Sequence, residues 1–468
     1  MELLYKVKDR PALPKLIIFA IQQFLAIVAG TVTLPLVVGN GMSQSAALLG
    51  ASVGTLLYLL ITKFRSPVFL GSSFTYLGSM ASAFAGAATA AIGYLGILIG
   101  AFLAGLVYVV LSITIRFTGV RWVNKIMTPT IVGPTVAIIA LTLAPNAILN
   151  FSLGGVVINE SIVANPYLCM GIGFITLIAV IVFSIYGKGL IKLIPLVLGL
   201  TVGFIVALIF TWIGNGTGNT ALMIVDFSAF DNIKWVPDFT FFHAIDGIKD
   251  FKSTGEFFKY FGLIAITYVP VALAVFAEHI ADHKNISHII ETDLLADPGL
   301  SRTLMGDGLG SMVGAFFGGC PNTTYGESIS CLAFSKNASI ITIVVTSLIG
   351  IGISFIGPLM AVLSMIPPCV IGGVSVCLYG YIALSGFQML KKVNLNEQKN
   401  IFVVAVIFVF GIGGFTISFQ HFEFPTVACA MVAGLLVNLL VNIKPHQKLK
   451  KKTHEVVEET KETEQSNS

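Results

Sequence analysis

Residues 321–328 read Pro-Asn-Thr-Thr-Tyr-Gly-Glu-Ser and break an apolar region where a continuous helix would otherwise be expected. The run offers hydroxyls, an amide and the Glu327 carboxyl group to a small polar molecule. Residues 67–78 hold a similar interruption, in which Gly-Ser-Ser-Phe at 71–74 resembles Asn-Thr-Thr-Tyr at 322–325. Both places are predicted to be short extended segments followed by half-helices. Such backbone exists at membrane depth only where it is buried in protein or lines a cavity.

The composition excludes a water-soluble protein. Of the 468 residues, 56% are hydrophobic and 11% are charged, and the mean hydropathy is +0.91. Soluble domains carry about 25% charged residues, so this chain has too little polar surface to coat a body of its size. The basic segment 1–15 runs directly into an apolar stretch of spanning length, which predicts a retained first helix and not a cleaved signal peptide.

Apolar runs of about 20 residues are typical of membrane-spanning helices. The chain is predicted to be an all-α polytopic membrane protein with 14 transmembrane segments, of which the tenth is too short to span as one helix. The predicted segments are 16–36, 46–62, 67–85, 95–115, 127–145, 166–186, 190–213, 261–283, 303–319, 323–335, 338–361, 367–389, 401–418 and 426–443.

The charges predict the orientation. With fourteen segments, all but four of the 27 Lys and Arg residues fall on the side of the two termini. Loops rich in Lys and Arg stay in the cytoplasm, so both termini are predicted to be cytoplasmic in a multi-pass protein of the cell (inner) membrane. The outer loop 214–259 is predicted to form a short amphipathic helix at the membrane interface. The polar tail 444–468 is predicted to be disordered.

Two weak internal matches indicate an inverted repeat. Beside the match between 71–74 and 322–325, Pro-Thr-Ile-Val-Gly at 129–133 resembles Pro-Cys-Val-Ile-Gly at 368–372. The matches keep their order within two halves of seven segments each, and an odd number of crossings places such halves inverted in the membrane. Interrupted segments at corresponding places of inverted halves indicate the binding site of a transporter. Half-helix N-termini there would present free N–H groups and a positive dipole end.

Residues 276–283 read Phe-Ala-Glu-His-Ile-Ala-Asp-His at the end of an apolar run. Glu278 and Asp282 are four residues apart and therefore share one helix face, while Glu327 approaches from the tenth segment. Ionisable groups in a bilayer are costly and need a partner, a proton or a polar substrate. Two carboxylates facing one cavity repel each other, and burial disfavours their charged form, so we expect at least one of them to hold a proton near neutral pH.

Such a carboxylate pair suits a planar polar substrate. Glu278 and Glu327 would accept N–H groups of a heterocycle, while backbone N–H groups near Phe74 and Gly326 would serve its carbonyls. Tyr379 and Phe74 could stack on a base, although aromatic side chains on spanning helices more often pack. The alternative for Glu278 is a structural carboxylate that a neighbouring histidine or a backbone group neutralises.

Hydropathy puts His279, Asp282 and His283 close to the cytoplasmic end of the eighth segment, where an interfacial position costs little. A proton-coupling role and a structural role both stay open for Asp282, and His283 is more readily structural. Asp307 is expected to pair with Arg302 or to cap a loop.

Other function classes fit the sequence less well. The six cysteines lie in or beside apolar segments without metal-ligand spacing, so we expect buried free thiols, no metal and no cofactor. The absence of a nucleophile–base pair disfavours an enzyme. No Lys or Arg lies mid-span, which disfavours a simple anion carrier.

From about Lys15 to Val441 the chain resembles the nucleobase–ascorbate transporter family, also called nucleobase–cation symporter-2, and within it the bacterial uracil permeases. The Pro-Asn-Thr-Thr-Tyr-Gly-Glu run combined with Ala-Glu-His at 277–279 is specific for this family. The blocks that carry the resemblance are 22–35, 69–74, 276–279, 321–327 and 365–380.

The resemblance implies a 7+7 inverted fold in which a core domain and a gate domain hold the substrate between them. The implied divisions are a core domain of 12–118 and 260–361, a gate domain of 123–213 and 362–443, an extracellular loop of 214–259 and a disordered cytoplasmic tail of 444–468. It also implies binding of uracil coupled to proton entry. The candidate substrate-binding residues are then Glu278, Glu327, Phe74, Gly326, Tyr379 and Tyr325, and the candidate proton-coupling residues are Glu278, Asp282 and His283.

Two positions depart from the family pattern. Uracil permeases commonly have a histidine four residues after the glutamate of the eighth segment, where this chain has Asp282, as in purine-type relatives, followed by His283. The family prefers asparagine after the acid of the tenth segment, where this chain has Ser328. Glu327 itself, in place of a glutamine, favours uracil over xanthine or urate.

The leading hypothesis is therefore a uracil:proton symporter that imports uracil. A xanthine or urate carrier on the same scaffold is the alternative, and a channel or anion exchanger of similar architecture is a third. The expected partners are a small nucleobase, protons and the lipid bilayer, with no nucleic acid, and a homodimer stays open as the assembly.

Overall fold

A computed structural model describes residues 3–158, 161–188, 191, 195–231, 233–391, 393–419, 422–424 and 426–442. The predicted tail 444–468 lies outside these residues. Most of the described chain is helical. The helices are α1 (Leu13–Val38), α2 (Gln44–Ile61), α3 (Leu77–Ala85), α4 (Ala90–Thr118), α5 (Arg121–Ile126), α6 (Pro129–Asn150), α7 (Pro166–Tyr186), α8 (Pro195–Thr217), α9 (Thr240–Lys249), α10 (Thr254–Ile290), α11 (Leu300–Gly318), α12 (Gly326–Ser335), α13 (Ile340–Ser354), α14 (Gly357–Ser364), α15 (Pro368–Leu390), α16 (Gln398–Ile412) and α17 (Thr426–Val441).

Eight of the described helices are long and apolar enough to cross a membrane, and the bent pair α13 and α14 would make a ninth. The eight are α1, α2, α4, α6, α7, α8, α10 and α15. Helices α16 and α17 are apolar but shorter. These spans agree with the prediction of a helical, multi-pass membrane protein.

Six short strands within the described residues form three two-stranded antiparallel pairs. They are β1 (Leu70–Ser72), β2 (Val157–Ile158), β3 (Ser161–Ile162), β4 (Asn322–Thr324), β5 (Ile417–Phe419) and β6 (Phe422–Phe424). Strand β1 pairs with β4, β2 with β3, and β5 with β6.

The pairing of β1 with β4 joins the two interrupted segments. Leu70 lies opposite Thr324 and Ser72 opposite Asn322, and all six strand residues are buried. The Ser73 N–H continues the ladder by donating to the Pro321 carbonyl at 2.9 Å. A 3-10 turn at Phe74–Tyr76 then leads into α3, while β4 leads into α12. The prediction of extended backbone followed by a half-helix is confirmed in both segments.

Helices α2 and α11 approach each other through glycines. A Cβ atom on Gly50 would lie 2.3 Å from the carbonyl oxygen of Gly314, and one on Gly54 would lie 2.5 Å from that of Gly310. Only a residue without a side chain permits this backbone contact. These glycines therefore hold α11 tightly against α2, the helix that precedes β1.

Two predicted helix extents were wrong. The segment 338–361 is not one helix, because the chain turns by 86° between α13 and α14. Pro358 lies in the first turn of α14, where its missing N–H does no harm, and it would clash inside a continuous helix.

The predicted segment 401–418 is helical only as far as Ile412, where α16 ends. Strand β5 begins at Ile417, after Gly413 and Gly414. The positive φ of 69° at Gly414 suits the left-handed turn that ends the helix.

The loop 214–259 contains the predicted short helix, α9, which packs on α4. The rings of Tyr94 and His243 stack there with centroids 4.8 Å apart. Asp238 accepts hydrogen bonds from Lys234 Nζ and His243 Nε2, each at 2.8 Å. Burial opposes ionisation of Asp238, but the bonds from Lys234 and His243 outweigh it and lower the pKa of this carboxyl group.

Candidate functional site

The acidic and imidazole side chains of α10 point to different surroundings. Glu278 and Asp282 are half-buried, whereas His279 and His283 are fully buried. Because the acids are four residues apart, they lie on one face of the helix. That face therefore borders open space, while the imidazole face packs into the protein.

Hydroxyl groups from the two interrupted segments hold these acids. Thr75 Oγ1, in the turn after β1, donates to Glu278 Oε2 at 3.2 Å. Thr324 Oγ1, at the end of β4, donates to Asp282 Oδ2 at 2.7 Å. The crossing strands thus position both carboxylates. Thr75 was not singled out in the sequence, although it directly follows the predicted contact residue Phe74.

Glu327 enters the same region from the first turn of α12. Its side chain is half-buried, and the preceding Gly326 is exposed, with no atom within 4 Å of the place where a Cβ would lie. The charge of Glu327 is close enough to act on Glu278 and Asp282. N–H groups in the first turn of a helix lack intrahelical partners, so the start of α12 can donate to a polar group in this open space.

Two aromatic rings from different parts of the chain meet beside the acids. Phe74 follows β1 and Tyr379 lies on α15, and their ring centroids are 5.8 Å apart at an interplanar angle of 73°. Both side chains are buried. The structure therefore brings the two predicted stacking residues together in edge-to-face contact.

Tyr325 is held differently. Its ring is buried against β1 and α1. A Cβ atom added to Gly71 would lie 2.6 Å from the Tyr325 ring, and one added to Gly30 would lie 1.8 Å from the Tyr325 hydroxyl. The two glycines form a slot that fits the ring. A direct contact between Tyr325 and a substrate stays a prediction.

The expected surroundings of Asp307 and His279 were wrong. Asp307 is fully buried, and its Oδ2 lies 2.6 Å from His279 Nδ1 and 3.4 Å from Thr323 Oγ1. His279 Nε2 lies 3.1 Å from Thr303 Oγ1. His279 is thus buried inside the protein, and it takes the place of Arg302 as the partner of Asp307. Gly306 and Gly308 beside Asp307 allow this close packing, but no local pattern links residues 279 and 307.

His283 belongs to a buried network behind the acids. Its Nε2 lies 2.8 Å from the Tyr58 hydroxyl, which donates to Ser66 Oγ at 2.7 Å. Its Nδ1 lies 2.9 Å from the His279 carbonyl, and the two imidazole centroids are 4.0 Å apart. His283 therefore touches protein groups on both ring nitrogens, and its role in proton coupling stays a prediction.

A family model described as the Permease family matches residues 14–419. The chain belongs to this family. The match covers both interrupted segments, the acids of α10 and α12, and Tyr379, and it confirms the resemblance that the sequence motifs indicated.

Similar proteins span nearly the whole permease. It is 36% identical over 444 residues to a uracil permease of Bacillus caldolyticus, which covers 94% of this chain and 95% of the relative. It is 33% identical over 443 residues to a uracil permease of Bacillus subtilis (strain 168), covering 93% and 94%. It is 30% identical over 439 residues to a uracil permease of Escherichia coli (strain K12), again covering 93% and 94%.

Solved structures share the fold of the permease at low identity. The transmembrane domain of a cyanobacterium bicarbonate transporter, BicA, superposes with a TM-score of 0.59 at 12% identity, covering 93% of this chain and 99% of that chain. The murine Slc26a9 anion transporter in the inward-facing state gives 0.58 at 11% identity, covering 93% and 69%. At such identities the likeness concerns the fold alone.

Ser328, the departure from the family pattern, links three elements of the permease. Its Oγ accepts hydrogen bonds from Gln23 Nε2 at 2.5 Å and from the Phe69 N–H at 3.0 Å. Gln23 Nε2 also donates to the Ser328 carbonyl at 3.2 Å. Ser328 is fully buried. It therefore fixes α12, and with it the adjacent Glu327, to α1 and to the residue before β1.

No disulfide links the six cysteines, all of which lie in the described ranges; Cys377 is half-buried and the other five are buried. Within the described ranges, no three His, Cys, Asp or Glu side chains are grouped so that they could hold a metal ion. The acids of α10 and α12 are thus surrounded by hydroxyls, backbone N–H groups and aromatic rings, which suit an uncharged polar ligand.

Proposed function

We propose that the permease imports uracil across the cell membrane as a uracil:proton symporter. One observation carries the proposal: Glu278 on α10 and Glu327 on α12 are both half-buried, and Glu327 is close enough for its charge to act on Glu278, beside the exposed start of α12. Relatives that match almost its whole length are uracil permeases. Acids inside a membrane protein mark substrate or proton pathways.

The side chains fit the donors and acceptors of uracil. The heterocycle presents two N–H groups, which the carboxylates of Glu278 and Glu327 would accept. It presents two carbonyls, which the backbone N–H groups of Phe74 and Gly326 would serve. The ring of Tyr379 would cover one face of the base, and the edge-to-face contact with Phe74 would hold that ring in place.

Proton coupling would use the same acids. Two neighbouring carboxylates in a place of low dielectric are more stable when they share a proton, so binding of uracil and of a proton would favour each other. Glu278 and Asp282 border the open space and are the first candidates, and the buried His283 is a third.

The proposed architecture has fourteen spans in a 7+7 inverted repeat, with both termini in the cytoplasm. The proposed core domain (12–118 and 260–361) would move as a rigid body against the gate domain (123–213 and 362–443). In support, α2, α4 and α11 pack together within the first set, and α6, α7 and α15 within the second. A homodimer remains open as the assembly.

A xanthine or urate carrier is the alternative, because the half-buried Asp282 offers a third carboxylate to a larger base. The deciding experiment uses purified protein in liposomes with an imposed inward proton gradient. We expect labelled uracil to accumulate and the accumulation to disappear when the gradient is collapsed. Uracil uptake that is the same with and without the proton gradient would refute symport. Strong competition by unlabelled xanthine would favour the purine carrier.

Single substitutions test the site itself. Glu278→Gln and Glu327→Gln should each weaken uracil binding by about 1.5–3 kcal/mol, or roughly 10–150-fold, because each removes a hydrogen bond to a charged group. Equilibrium binding of labelled uracil to the purified variants measures this. Glu397→Gln, in an exposed loop, is the matched control and should bind like the unaltered protein. Unchanged affinity in either site variant would remove that residue from the site.

A further inference from the structure

A second cavity of about 310 Å³ lies at the far end of α3 from Phe74. Gly86 and Ala88, just after α3, and Phe251, which precedes α10, form part of its wall. We propose that this cavity is a staging site, where the heterocycle binds before it passes along α3 to Glu278. This inference rests on the proposed function, and it adds a second binding place for the same substrate class.

The aromatic side of the cavity is preformed. The Tyr260 hydroxyl donates to the Ala83 carbonyl at 2.8 Å and to the Ile92 carbonyl at 3.1 Å, which fixes its ring. Phe251 lies beside it, with ring centroids 5.9 Å apart and an interplanar angle of 48°. A ring fixed by hydrogen bonds, with a second ring beside it, gives a planar base a surface to stack on.

Two charges of opposite sign flank these rings. Glu256 and Lys259 line the cavity from the first turns of α10, and both are exposed. Glu256 accepts a hydrogen bond from the Lys252 N–H at 3.2 Å, which holds the carboxylate in place. Among the described residues, Glu256 and Lys259 form no ion pair with each other within 4 Å.

This pair of charges matches a cyclic amide. A heterocycle with adjacent N–H and C=O groups can donate to the Glu256 carboxylate and accept from the Lys259 ammonium at once. A simple cation or anion would meet only one of the two side chains favourably. The cavity has room for such a ring, since its volume is at the lower end of the range for small-molecule pockets.

The exposed face of α3 connects the two places. Gly78, Ala81 and Ala85 are exposed, and their spacing puts them along one side of α3. The exposed Ala88 follows the helix at the wall of the cavity. Side chains no larger than a methyl group leave space along that side. The nine residues of α3 span roughly 13 Å, and at the inner end Thr75 binds Glu278. A small planar molecule could therefore move from the cavity to the acids.

The test labels a cysteine placed in the cavity wall. Ala88→Cys, in the full-length protein, is treated with a water-soluble maleimide with and without uracil. We expect uracil to slow labelling at least threefold, also in the background of Glu278→Gln with Glu327→Gln, because the staging site does not need the inner acids. Adding Lys259→Met should remove the protection. Ser228→Cys, exposed elsewhere in the outer loop, should label at one rate throughout.

The outcomes separate this inference from the proposed function. If liposomes accumulate uracil but uracil leaves the labelling of Ala88→Cys unchanged, the staging site is refuted and the symporter stands. If protection occurs but vanishes with the two glutamate substitutions, it came from the inner site, and the staging site is again refuted. If unaltered protein neither transports nor binds uracil, the proposed function fails as well. Kinetics give a second readout, since Lys259→Met should raise the KM several-fold, more than kcat falls.

Discussion

Replacing Ser328 by alanine tests how the half-helix that carries Glu327 is fixed. The substitution removes one oxygen that accepts from Gln23 Nε2 and from the Phe69 N–H. Ser328, Gln23 and Phe69 are all buried, so water cannot replace the lost acceptor. The change is otherwise small and leaves the helix backbone intact.

The magnitude follows from the two bonds. The Phe69 N–H loses its acceptor in the Ser328→Ala protein, and an unsatisfied buried donor costs about 1–3 kcal/mol. Gln23 keeps its hydrogen bond to the Ser328 carbonyl and loses the shorter one to Ser328 Oγ, which is worth about 0.5–1.5 kcal/mol. Together these predict a loss of about 1.5–4.5 kcal/mol in the free energy of unfolding.

The assay is denaturant unfolding of the purified protein in detergent, with Ser335→Ala as the matched control. Ser335 ends the same helix and makes only local bonds, since its Oγ donates to the Leu332 carbonyl at 3.4 Å and accepts from the Asn337 N–H at 3.3 Å. Ser328→Asn should recover part of the loss, because its amide oxygen can accept from the Phe69 N–H. A difference below about 0.5 kcal/mol between Ser328→Ala and Ser335→Ala would refute the reasoning, since that is the usual effect of a surface substitution.

Two further predictions concern packing and pH. Gly50→Ala should destabilise the protein by about 1–3 kcal/mol, because its methyl group would overlap a backbone carbonyl of α11. Thermal unfolding measures the loss. Gly171→Ala is the control and should show no loss, because a Cβ at Gly171 would meet no other atom. Lys234 and His243 lower the pKa of Asp238 against the opposing effect of burial. That stabilisation is present above the ordinary carboxyl pKa of about 3.9 and is lost as the pH falls through the lowered value. Lys234→Ala should therefore reduce the thermal stability more at pH 7 than at pH 3, and an equal loss at both would contradict this.

Helix positions could be predicted where hydropathy alone decides them. The predicted segment 166–186 coincides with α7, Pro166–Tyr186, because a bilayer forces every backbone group of a span to bond within its own helix. The extended parts of the third and tenth segments could also be predicted, since glycines and hydroxyl residues interrupted the apolar runs. The bend between α13 and α14 was missed, although Pro358 gave a local signal for it.

The candidate site was predictable only in part. Glu278, Asp282 and Glu327 stood out because acids are rare in apolar segments. Their contacts with Thr75 and Thr324 did not, because hydroxyl groups are common in spanning helices and no spacing rule links them to an acid far away in the chain.

The sequence by itself determined that the chain enters a membrane, roughly where it crosses, and which acids would be costly there, because those properties depend on local composition. Only the tertiary structure decided which groups meet. Strand β1 pairs with β4 across some 250 positions of sequence, and Asp307 bonds to His279 from another helix. Such contacts depend on how helices pack through small residues in three dimensions, and no local pattern carries that information.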